Sequence, residues 1–82
     1  MKGSNMGLGE KNKRRKEARA LGYKRAKGLG SAGWCRILCV VEERGYGAAM
    51  GLIETMARES EYPLDWIAGF LIACSEIERG ED

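Results

Sequence analysis

Nine cations crowd the positions from Lys11 to Lys27: Lys11, Lys13, Arg14, Arg15, Lys16, Arg19, Lys24, Arg25 and Lys27, with Tyr23 set among them. Side chains of this type at this density suit phosphate first, with an acidic protein surface or a merely solubilising tail as the other readings; they do not mark catalysis. Lys and Arg displace the counterions condensed on a polyanion, and neutralising roughly six to nine phosphates gives a steep dependence on salt. Arginine adds planar bidentate hydrogen bonds, and a tyrosine can stack on an exposed base. An arginine-rich segment that turns helical fits the groove of an RNA hairpin, and the short length with the single tyrosine slightly favours RNA over DNA. The same segment could also track duplex DNA without sequence preference. The expected partner is therefore nucleic acid, and the expected role that of a small accessory or regulatory protein.

The basic segment is sharply bounded. Residues 1–30 hold ten Lys/Arg against Glu10 and Glu17, a balance of +8. Residues 31–82 hold Arg36, Arg44, Arg58 and Arg79 against ten carboxylates, a balance of −6, so the overall +2 conceals a polarised chain. Such asymmetry suggests a basic arm and an acidic core. The acidic surface could hold the arm in the free protein through many weak pairs that fade with salt. From Lys11 to Arg19 the composition resembles the N-terminal arginine-rich arms of lambdoid phage antiterminators, which also sit on small proteins. That resemblance covers the arm alone and implies nothing about the helical part.

Nothing in the chain marks an enzyme. There is no histidine, which removes the usual general base. The glycine-rich pieces GLGE (7–10) and GLGSAG (28–33) lack phosphate-loop spacing and read as hinges. The carboxylates lie on polar helix faces as a solvated surface. Cys35, Cys39 and Cys74 are an odd number and read as reduced, buried apolar residues of a cytoplasmic protein. Neither a metal nor a cofactor is expected. The longest apolar run, Trp66 to Cys74, is nine residues, well short of the about 20 that span a membrane.

The elements that must position these residues read as helical. Residues 1–9 have little to pack, and the arm from Glu10 to Lys27 is expected to be flexible or partly helical, ordered on its partner. Its apolar positions Ala18, Leu21 and Ala26 make a face too small for a core, and Gly22 interrupts it. After the hinge, Ser31 caps a helix over 32–44, where Trp34, Ile37, Leu38 and Val41 share one face and Gly45 terminates. A second helix covers 47–59, with Gly47 and Gly51 as points of close approach. The 4,3 spacing from Trp34 to Leu52 also admits one bent helix. A third helix runs over 63–79 from Pro63, with Asp65 in its first turn. The fold class is all-α, with the arm over 1–30 and an acidic helical core over 31–82.

The third helix carries an apolar stripe wider than a two-helix hairpin covers. Trp66, Ile67, Phe70, Leu71, Ile72 and Ile77 are accordingly expected to form an interface, most simply with a second copy. A core of so few residues buries roughly 60% of its unfolded surface and gains from association, which also points to a homodimer. A second functional reading follows from the same face. The helical core would be an interaction module or inhibitor of phage or mobile-element type, docking a protein partner through its apolar or acidic faces.

Overall fold

The computed structural model describes residues 2–80, with side chains from Gly9 to Gly80, and the disorder expected of the first residues lies outside those side chains. Its elements are α1 (Lys2–Arg44), α2 (Tyr46–Ala57) and α3 (Pro63–Glu78). The protein is all-α, and no strand forms among the described residues. The helices expected over 47–59 and 63–79 are α2 and α3 to within two residues. The helix expected over 32–44 is the second half of a longer one.

That longer helix, α1, continues back through the basic segment and bends at Gly30, where φ is 67° and ψ −166°. The break falls inside the expected hinge, on Gly30 and not on Ser31, because glycine reaches a positive φ without a Cβ clash. A second positive φ, 92° at Gly45, separates α1 from α2, so the two are not one bent helix. Gly45 donates its N–H to the Val41 carbonyl at 2.8 Å, closing the last turn of α1. Pro63 opens α3, where its missing N–H has no intrahelical partner to lose.

The first half of α1 lies along α3, and the two run in the same direction. Arg15 meets Asp65, Gly22 meets Trp66, Lys27 meets Glu76 and Trp34 meets Glu78 in ascending order. Two parallel neighbours need a return connection, and α2 with the loop 58–62 supplies it. Contact between α1 and α3 is at backbone distance. A Cβ built on Gly22 would stand 1.9 Å from the Trp66 carbonyl oxygen, and one on Gly69 1.9 Å from that of Arg19. Ala18, Ala26 and Ala73 flank this crossing and are buried.

The face of Ala18 and Ala26 is thus not too small to bury. Its smallness lets α3 approach until the backbones touch, as small residues spaced four apart allow. Leu21, counted with them, points away and is 59% exposed. Gly47 and Gly51 face open space, so the close approach lies at a different glycine pair. The core gathers Phe70, Ile53, Ala57 and Ala73 with Trp66, Ile67 and Cys74. The Trp66 and Phe70 rings stack with centroids 5.3 Å apart. The molecule measures 51 × 26 × 16 Å. Helices are about 10 Å thick, so the smallest of these dimensions leaves many apolar side chains a wet side.

Candidate nucleic-acid interface

With Ala18, Gly22 and Ala26 against α3, the rest of the wheel is fixed at 100° per residue. Arg15 and Arg19 flank the contact and converge on one carboxylate. Arg15 Nε lies 3.0 Å from Asp65 Oδ2, and Arg19 Nη1 2.8 Å from Asp65 Oδ1. The Asp65 side chain is only 12% exposed. The hydrogen bond from Arg15, then the charges of both guanidiniums, hold its carboxyl below the usual range against the opposing effect of burial. Arg14 reaches Glu61 at 3.2 Å and Glu10 at 3.5 Å, in pairs that are open to solvent.

Farther along, the Tyr23 hydroxyl donates to Glu76 Oε1. Lys27 Nζ sits 3.0 Å from the same oxygen and 5.5 Å from the centre of the Tyr23 ring. The bond from Tyr23 and then that from Lys27 lower the Glu76 carboxyl. The bond to Glu76 raises the Tyr23 phenol. Past the Gly30 bend, Trp34 Nε1 donates to Glu78, completing a line of contacts from α1 to α3.

The predicted phosphate-binding residues therefore divide. Arg14, Arg15, Arg19, Tyr23 and Lys27 are turned toward α3 and its preceding loop and are engaged there. Lys11, Lys13, Lys16, Lys24 and Arg25 are exposed and have no ion pair among the described residues. Lys13, Lys16 and Lys24 lie on the side opposite Gly22, spread over about 16 Å of helix at 1.5 Å per residue. Three of the four guanidiniums of the segment, the groups best suited to bidentate phosphate binding, are used internally, while Arg25 and four ammonium charges face solvent. The acidic surface expected to hold the arm does include Glu61 and Glu76; reading the sequence placed Asp65 only in the first turn of its helix and missed it as the partner of Arg15 and Arg19. The available signal was the Ala18–Gly22–Ala26 spacing, which marks the side of the arm that packs.

The six residues expected at an interface also divide. Trp66, Ile67, Phe70 and Ile77 are buried within the single chain, because the arm itself covers the wide stripe of α3. Leu71 and Ile72 remain 40% and 52% exposed, with Leu64 at 82%. Of the cysteines expected to be buried, only Cys74 is, and burial raises its thiol; Cys35 and Cys39 are exposed on α1. No group of three potential metal ligands occurs among the described residues. No described helix is long and apolar enough to cross a membrane. In comparisons with protein families, curated proteins and solved structures, nothing matches this chain.

Proposed function

We propose that this chain is a small accessory or regulatory protein that binds nucleic acid through phosphates, with the outward lysine face of α1 as the contact. The observation that supports it is the division of the arm's cations. Lys11, Lys13, Lys16, Lys24 and Arg25 stay exposed and without an ion pair among the described residues, although α3 and its flanks offer carboxylates to their neighbours. Ammonium charges on a rigid helix suit phosphate contacts, which position a protein without reading sequence. Tyr23 is committed to Glu76, and α3 covers one side of α1, so base stacking and deep insertion into an RNA groove lose their support. The reading extends equally to duplex DNA and duplex RNA.

Removing residues 1–30 is a poor test, since it would strip the packing partner from Phe70 and Ala73. The informative experiment compares the full chain with a triple variant, Lys13→Glu, Lys16→Glu and Lys24→Glu, on labelled duplex DNA and an RNA hairpin at two salt concentrations. Binding by the full chain, at least about tenfold weaker in the variant at an unchanged melting temperature, supports the proposal. Absence of binding by the full chain near physiological salt sinks it.

A further inference from the structure

A second surface lies on the other side of the arm. The second half of α1 and α2 enclose an open apolar groove, floored by Leu29, Ile37, Leu52 and Met56. It runs on along α1 to Leu21, past Thr55 and Glu59 of the α2 end. Leu21, Leu29 and Leu52 are 59%, 36% and 48% exposed. In a molecule whose whole surface is 5954 Å², a contiguous run of half-exposed leucines is a feature that needs a cover. No residue of α3 other than Trp66 reaches it.

The rim supplies the second observation. Lys24, Arg25 and Arg36 line the groove, and none has an ion pair among the described residues. Among the described residues Glu59 is the one carboxylate lining these stretches, with Glu17 and Glu61 beyond the Leu21 end. Three cations against one anion around an apolar floor complement a helix with leucines on one face and carboxylates beside them. From Leu21 to Leu29 the groove follows about 12 Å of helix at 1.5 Å per residue, and past the Gly30 bend it continues beside α2 to Ile37.

We propose that this groove docks an acidic amphipathic helix of a protein partner. Floor leucines and Met56 take the apolar face, and Lys24, Arg25 and Arg36 take the carboxylates. This surface is separate from the Lys13 and Lys16 face, so it does not depend on nucleic-acid binding. With Lys24 and Arg25 shared between the two surfaces, a docked acidic helix would neutralise two of the five cations available to phosphate.

The test titrates the full chain into two fluorescent helical peptides of about 18 residues, with leucines at i, i+3, i+4 and i+7. One carries Glu at the flanking positions and the other Lys. The Glu peptide is expected to bind at least about tenfold more tightly than the Lys peptide. Leu52→Glu should abolish that binding, and Arg36→Glu should reduce it at least about fivefold, both with unchanged melting. Leu64→Glu, on the far side of the molecule, should leave it intact. Equal affinity for the two peptides overturns the proposal, as does no binding at millimolar chain. A dimer in sedimentation that Leu52→Glu dissociates also overturns it, by identifying a second copy as the occupant.

Discussion

Gly22 and Gly69 lock α1 and α3 together reciprocally: each lies where a Cβ would strike the backbone carbonyl of the residue three before the other, Trp66 for Gly22 and Arg19 for Gly69. Helix propensity alone says that either glycine should gain about 1 kcal/mol on becoming alanine. At 1.9 Å from a backbone oxygen the added methyl forces the helices apart and opens the Phe70 layer. Gly22→Ala and Gly69→Ala are therefore expected to lose about 1–3 kcal/mol each, as overpacked sites do. Gly28→Ala, with open space around the new methyl, should instead gain about 0.5–1 kcal/mol. Thermal melts of the three variants decide it; a rise in melting temperature for Gly22→Ala would refute the close packing.

The Asp65 pairs set an acid limit on stability. Its folded carboxyl titrates below the ordinary value because Arg15, then Arg19, bond the anion. A depressed pKa contributes stability that is complete above the unfolded value of about 3.9 and is lost as pH falls through the folded one. Asp65→Asn should melt below the parent chain at pH 7, and the gap should narrow as pH falls under about 4. Identical melts at pH 7 would mean that the two arginine bonds add nothing to holding the arm.

Tyr23 and Glu76 should show limits at both ends of the pH scale. Glu76 is depressed, so its share is present above about 4.3 and fades in acid. Tyr23 is raised, so its share is present below about 10 and fades as pH rises through its folded value. Tyr23→Phe is therefore expected to lower the melting temperature most between these limits, with the difference from the parent closing toward each. A difference that stays constant from acid to alkaline pH would show that the phenol–carboxylate bond is not what the substitution removes.

How far the sequence discloses this fold depends on which physical signal each segment carries. The helix from Pro63 declares itself by a proline start, an acidic first turn and a periodic stripe, and α3 forms there. The hinge glycines and Gly45 show because a positive φ selects a residue type. The arm was harder, since its contact with α3 is made by Ala18, Gly22 and Ala26, residues whose contribution is an absence of bulk. Hydrophobic periodicity has almost nothing to register on such a face. Once the arm is left out of the core, the wide stripe on α3 looks like a surface to be covered by a second copy, whereas Trp66, Ile67, Phe70 and Ile77 are already buried within the single chain. The acidic residues were visible, but pairing Asp65 with Arg15 and Arg19 requires the parallel register that only the glycine crossing fixes.

The bend at Gly30 separates two differently occupied halves of α1, one against α3 and one beside α2. Its φ of 67° lies where an L-residue with a Cβ is strained. Gly30→Ala should cost about 1–2 kcal/mol despite the open space around the position. Replacement by D-alanine in a synthetic chain, which favours that φ, should recover the loss. Equal destabilisation by both would place the cause elsewhere than in the torsion angle.

Salt dependence distinguishes a docked arm from a free one. A free arm would offer nine cations from Lys11 to Lys27, and with a slope near −0.9 per phosphate the plot of log K against log salt would fall at about −8. In the docked arm Arg14, Arg15, Arg19 and Lys27 are held by Glu61, Asp65 and Glu76. Pulling Arg15 and Arg19 off Asp65 would leave a largely buried carboxylate without its charge partners, so those guanidiniums stay where they are. Lys11, Lys13, Lys16, Lys24 and Arg25 remain, and with Lys13, Lys16 and Lys24 sharing the outward side, three to five contacts give a slope between about −2.7 and −4.5 on duplex DNA. Changing Lys16 to Ala should shift that slope by about one unit, whereas Arg19→Ala should lower the melting temperature and leave the slope nearly unchanged. A measured slope near −8 would mean that the arm leaves α3 to bind, and the Gly22–Gly69 crossing would then have to open in the complex.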